Sequence, residues 1–235
     1  MLGMINKYWL TLIICVAFLP GRAQHSSLRV MAEVPVQFGL GYEARLSNHF
    51  SVALSAGVLT PPNSTLIIDV LKKLGTDEQI TLMIKDAFKF GLVGEGGVNY
   101  HFRRNYVGTF VQVIALHGGD APTALVEDYF NTSINSYPTT KGRAPTNEKY
   151  LNLKSTLYQA GILYGRRFPL KNKRFEIDAE FGMSANVSSK SELTSEVRNL
   201  ATLSTVVDKE LASYYSEYAF VPSLTVCFVY KLGRW

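Results

Sequence analysis

Glu176, Asp178 and Glu180 form the densest group in the chain able to do chemistry. In an extended segment, alternate residues share a face about 6.6 Å apart, two rises of roughly 3.3 Å. Paired carboxylates can act as acid and base, or acid and nucleophile, in glycoside hydrolysis. An oxygen-rich face can also hold a hard cation. The spacing permits both chemistries and specifies neither. Ion pairing explains the group more simply, because buried charge must be paired or coordinated, and Arg29, Arg45, Lys89, Arg167 and Lys231 can supply the partners.

The other candidates are thinner. His117-Gly118-Gly119-Asp120 could place a base beside its orienting acid, but the glycines also make a turn and no nucleophile adjoins them in sequence. Gly91, Gly94, Gly96 and Gly97 lack the following helix whose N-terminus a phosphate loop needs. His25, His49 and His101 show no metal-ligand spacing. The residues call for no cofactor or metal, and a non-enzymatic role is expected.

The elements that must carry these residues are written in a period of two. From Leu28 to Leu46 every even position is apolar and the odd positions include Arg29, Glu33, Glu43 and Arg45. Residues 173–188 repeat the pattern, with Phe175, Ile177 and Phe181 on one face and the three carboxylates on the other. Such alternation predicts strands with two unlike faces. Further strands are predicted over 50–59, 88–102, 106–117, 153–168 and 216–232; the parity of 106–117 is ambiguous because both faces carry apolar residues. Aromatics fall near many strand ends: Tyr42, Phe50, Phe88, Phe102, Tyr106, Phe168, Phe175 and Tyr230.

Three carboxylates on one face cannot line a dry core, but they can line a polar lumen. The expected fold is therefore all-β: a transmembrane antiparallel up-and-down barrel over residues 24–235. Its lumen would hold Arg29, Glu33, Glu43, Arg45, Lys89, Glu95, Arg167, Glu176, Asp178, Glu180 and Lys231. Its lipid-facing side would carry Val36, Phe38, Leu40, Tyr42, Phe175, Ile177, Phe181, Leu224, Val226, Phe228 and Tyr230. A soluble sandwich or lipocalin-like barrel also alternates. The strand lengths, aromatic ends and glycine-rich polar faces favour the membrane form.

The N-terminus points the same way. Lys7, the apolar run Tyr8–Pro20 and Gly21-Arg22-Ala23 read as a signal peptide over 1–23, with a run too short for a spanning helix. Of the two cysteines, only Cys227 lies outside that leader. Charged residues are 18% of the chain and net charge is +5; the leader removes two cations and no acid. That balance gives no warrant for a nucleic-acid partner.

Short turns are predicted at 47–49, 103–105 and 169–172, and long connections at 60–87, 118–152 and 189–215, as in outer-membrane barrels. Seven strands are legible, whereas single-chain bacterial barrels have even numbers, so about eight are expected. A strand hidden in a long loop, a short first strand, or a departure from the even rule would each reconcile the two. With seven strands, the mature N-terminus falls at the long-loop end. Within the connections, Leu66, Val70 and Leu71 predict a helix, Thr76 caps a second bearing Ile80, Met83, Ile84 and Ala87, and Leu200, Leu203, Val207 and Leu211 stripe a third.

Leader, alternating strands and closing strand together resemble the small outer-membrane β-barrel proteins common in Bacteroidota. The resemblance implies outer-membrane lipid and the β-barrel assembly machinery as partners, with an extracellular protein or ligand at the loops, or else a narrow channel. It also implies a C-terminal assembly signal, matched here by Leu224, Val226, Phe228, Tyr230 and Leu232. The chain then departs from that signal with Gly233-Arg234-Trp235.

Overall fold

The longest alternating stretch of the chain is broken by one proline. Pro35 has no N–H to give a ladder, and there the chain reverses: β1 (His25–Val34) pairs antiparallel with β2 (Gln37–Arg45). The Val36 N–H donates to the Glu33 carbonyl at 2.9 Å to close the turn. The register sets even against even (Ala32 with Phe38) and odd against odd (Glu33 with Gln37). The alternation therefore runs unbroken through the reversal, and reads in sequence as a single strand. This hairpin supplies the eighth strand; it is neither hidden in a long loop nor a short leading one.

The computed structural model describes residues 25–73, 75, 77–139, 148–218 and 221–232. The leader over 1–23, the Thr76 cap and Gly233–Trp235 lie outside the described residues. The remaining strands are β3 (Phe50–Leu59), β4 (Gly91–Phe102), β5 (Asn105–Pro122), β6 (Tyr150–Pro169), β7 (Phe175–Thr194) and β8 (Val221–Leu232). Each pairs with its sequence neighbour, and β1 closes on β8, with Val30 opposite Phe228, into an eight-stranded antiparallel barrel. The turns at 46–49, 103–104 and 170–174 share one end with the start of β1 and the end of β8. The Pro35 turn and the long connections share the other, so β1 starts at the short-turn end rather than at the long-loop end.

β5, β6 and β7 outrun their neighbours, and two bulges interrupt their ladders. On β5 the register slips between Leu116 and Gly119, where Gly118 takes φ +89°. On β7 it slips between Asn186 and Ser188, opposite Gln159 and Tyr158. An extra residue swaps the faces of a strand. The inward set on β7 accordingly passes from Glu176, Asp178, Glu180 and Ser184 to Ser191 and Leu193, and on β5 from Leu116 to Ala121. Strand β5 thus continues through the His117–Asp120 segment expected to turn.

Helices cover this extended wall. α1 (Asn63–Lys73) and α2 (Glu78–Ile84) precede a 3₁₀ turn at Ala87–Lys89; α3 (Thr123–Tyr129) follows β5; α4 (Ala201–Tyr218) precedes β8. α2 is capped by Asp77, whose carboxylate accepts the N–H groups of Gln79 and Ile80. The β7–β8 ladder stops at Ser184 opposite Val221, leaving the upper edge of β7 without a strand neighbour. α4 takes that place: Asp208 accepts the Ser191 N–H, and the Ser204 hydroxyl accepts the Leu193 N–H at 2.9 Å. An open edge that would template further pairing is thereby closed within the chain.

Six sequence-based placements change. Val36, expected to face lipid, is buried at the hairpin turn in the apolar cluster of the cap. Lys89, expected in the lumen, sits in the 3₁₀ turn, solvent-exposed and paired with Asp86 at 2.9 Å. Phe88 and Tyr106, expected in the outer aromatic set, are buried inside. On α1 it is Ile67 and Ile68 that are buried, while Leu66 is exposed. The last strand starts at Val221, because residues 216–218 end α4.

Candidate functional site

Seen from the short-turn end, the interior begins with an ion network built by strands distant in sequence. Arg29 on β1 donates to Glu180 on β7, lies 3.7 Å from Asp178 and reaches the Cys227 sulfur on β8 at 3.2 Å. The Tyr106 hydroxyl on β5 also donates to Glu180. Arg167 on β6 holds Glu43 on β2 at 2.7 Å, with Glu176 and Asp178 each at 3.9 Å. Its guanidinium lies 5.1 Å from the centre of the Tyr106 ring. Lys231 closes the set on Glu176 at 2.8 Å. Arg45 is half-buried at the mouth, in register with Ser51.

Ser51, His101 and Glu43 have the composition of a hydrolytic triad. The Ser51 oxygen is 2.7 Å from the His101 Nε2, but Glu43 is 3.3 Å from that same nitrogen. A relay needs the acid on one ring nitrogen and the nucleophile on the other. All three side chains are buried, so this is a hydrogen-bonded packing group. His117 and Asp120 are exposed on either side of the β5 bulge. Sequence spacing gave no sign of the first group, since β2, β3 and β4 must pair before it exists. Among the described residues, no set of three or more His, Cys, Asp or Glu side chains converges as a metal site would.

Polar pairs fill the middle of the barrel: Gln37 donates to Glu33 at 3.0 Å, Gln112 to Glu95 at 3.2 Å, and Ser184 to Gln159 at 3.2 Å. Two buried aromatic side chains of β5 lie across the inner face of the neighbouring strand β6. Tyr106 lies over Gly165 and Phe110 over Gly161, so closely that a Cβ at either glycine would overlap the ring. The cavity lined by Glu33, Glu95, Phe110, Glu180 and Ser223 measures about 10 Å³, about the room one water needs.

Above the bulges the interior is apolar. Leu151, Leu153, Leu157 and Leu193 of the wall meet Ile80, Met83, Ile84 and Phe88 from the first long connection, Val126 and Ile134 from the second, and Leu203, Val207 and Leu211 from the third. Gly119 lets the backbone of Asp86–Ala87 ride directly on β5, where any Cβ would collide. Tyr215 of α4 donates to Ser155 at 3.4 Å, and Ser155 bonds Ser191 at 2.9 Å. Burial pushes the Tyr215 phenol up to about 12, so it stays a donor at neutral pH. Gln79 reaches Asp128 (2.8 Å), Tyr129 reaches Glu210 (3.1 Å), and Arg198 grips the Asn135 and Tyr137 carbonyls at 3.0 Å each. These bonds lock the long connections into a single lid.

Outside, the wall is greasy. Leu40, Val111, Ile162 and Phe181 are 65%, 64%, 62% and 51% exposed, and Leu224, Val226 and Phe228 continue the surface on β8. Phe38 and Ile177 are also exposed, while Tyr42, Phe175 and Tyr230 are half-buried. The stretch from Tyr158 to Phe168 on β6 runs about 33 Å at roughly 3.3 Å per residue, about 25 Å in height at the usual tilt of barrel strands. Beyond the bulges the outward residues turn polar: Asn152, Lys154, Lys190 and Glu192.

No family model matches this sequence, and no curated protein matches it. Among solved structures, the chain is similar to the N-terminal beta-barrel domain of Pseudomonas aeruginosa OprF, with 8% identity and a TM-score of 0.41 over 89% of this chain and 98% of that one. It is similar also to Acinetobacter baumannii CarO2 (12% identity, TM-score 0.36, 88% of this chain, 98% of that one) and CarO (9%, 0.36, 88% and 97%).

Proposed function

We propose that this chain is an integral barrel of a bacterial outer membrane, non-enzymatic and closed to solutes, that presents its helical lid at the cell surface for binding or structural work. The observation that carries this reading is the filled bore: ion pairs, buried aromatics and an apolar plug succeed one another from end to end. An open pore would require a continuous water path, and a soluble barrel would not leave a contiguous apolar band of this size in water. The band's height of about 25 Å suits a bilayer core. Among the described residues no helix is long and apolar enough to cross a membrane.

Planar-bilayer recording of the purified full chain tests closure: no steady current is expected, and a sustained ion-selective current would establish the channel instead. Orientation is tested on intact cells with a membrane-impermeant maleimide. V206C on the lid should label and K171C in a short turn should not; the reverse pattern would invert the reading.

A further inference from the structure

The two ends of the barrel differ in charge. At the short-turn end Arg103 and Arg104 occupy the β4–β5 turn, Arg166 the outer face of β6, and Lys171, Lys173 and Arg174 the β6–β7 turn, all of them exposed. The Arg167 N–H donates to the Arg104 carbonyl at 2.8 Å and the Lys231 N–H to the Arg174 carbonyl at 2.9 Å. These bonds stitch the turns to their neighbouring strands, so the six cations form one arc from β4 to β8. The carboxylates at this level, Glu43 and Glu176, are buried and engaged by Arg167 and Lys231. Among the described residues no exposed carboxylate offsets the arc. At the lid end, by contrast, Asp69, Asp77, Glu78 and Asp86 interleave with Lys72, Lys73, Lys85 and Lys89.

The arc has a fixed depth. Phe102, Phe168 and Phe175 ring the wall beside it, and the Arg166 guanidinium lies 5.6 Å from the centre of the Phe168 ring. Arg166 projects from the same face of β6 as Tyr164 and Phe168, so its stem runs along apolar surface and its head must reach for the interface. Guanidinium forks match phosphate oxygens two at a time, and clustered cations at this depth attract anionic lipid. We propose that the short-turn end is a docking surface for the phosphate headgroups of anionic phospholipids in the adjoining leaflet.

This inference rests on the membrane reading, and its test separates the two. The full chain is reconstituted in phosphatidylcholine vesicles carrying spin-labelled phosphatidylglycerol or spin-labelled phosphatidylcholine, and the immobilised fraction of each label is measured. The wild type should prefer phosphatidylglycerol by roughly three- to tenfold. The preference should fall toward parity in R103Q/R104Q/R166Q/K171Q/K173Q/R174Q and, for the wild type, in about 1 M salt, where the screening length is ~3 Å. R103Q/R104Q alone should fall part of the way. Equal immobilisation of both labels by a wild type that enters vesicles and keeps heat-shifted gel mobility would overturn the proposal alone. So would full preference in the sixfold variant. Wild-type sedimentation with peptidoglycan, lost in that variant and without lipid preference, would overturn it in favour of the cell-wall polymer. A chain that enters no vesicle overturns both.

Discussion

The lower and upper halves of the interior share one wall and solve opposite problems. Below the bulges, charges meet from all round the barrel: Arg29 and Glu180 are 151 residues apart and touch only because β1 closes on β8. Above them, three strands stand alone and borrow helices from every long connection to bury their leucines. The lower half depends on complete pairing, since a stranded charge in low dielectric is severe. The upper half depends on apolar area and fit, which fail gradually. Two bulges, each one residue of excess, mark the border by swapping which set of side chains looks inward.

The sharpest way to break the lower half is to remove its central cation. Arg29→Met leaves Glu180 and Asp178 facing each other with less compensation and should lower stability by about 3–5 kcal/mol, as buried pairs do when halved. Chemical unfolding in detergent micelles checks the size, and adding Glu180→Gln should restore much of it. Absence of rescue would mean that packing, not charge, sets the loss.

The corresponding break above is Leu211→Ala, which should cost about 2–5 kcal/mol if the site stays a cavity. Its signature differs: trypsin should gain access to Lys209 on α4 while heat-shifted mobility of the barrel persists. Simultaneous loss of both would show the halves to be one cooperative unit.

Smaller effects sharpen the border. Asp208→Ala frees the upper edge of β7 and should cost about 1–3 kcal/mol, the range for a lost partner of a partly buried donor, read as faster amide exchange at Ser191 and Leu193. The smallest belongs to Lys89→Gln, in which an exposed ion pair with Asp86 is removed. No change in unfolding midpoint is expected, and a measurable drop would return Lys89 to a structural role.

Much of the wall was legible because a strand with two unlike faces must separate them at every second residue. β3 appears over the predicted 50–59, and on β8 Leu224, Val226 and Phe228 face outward as their alternation predicts. β5 was ambiguous for a physical reason: Phe110, Ile114 and Leu116 point inward to plug the bore, while Val107, Val111 and Val113 face out, so both faces are apolar. The triad-like Ser51, His101 and Glu43 left no local trace, since their meeting depends on the register of three strands.

Local chemistry alone settled that the chain alternates, that its carboxylates need cationic partners, and that its long connections hold amphipathic helices. Three-dimensional closure decided the rest: which cation meets which carboxylate, that Pro35 reverses the chain without disturbing its alternation, and that the bulges turn the upper wall toward a lid. Periodicity records which residues share a face of a strand, and it is blind to reversals that preserve parity. Only the paired register says where that face looks.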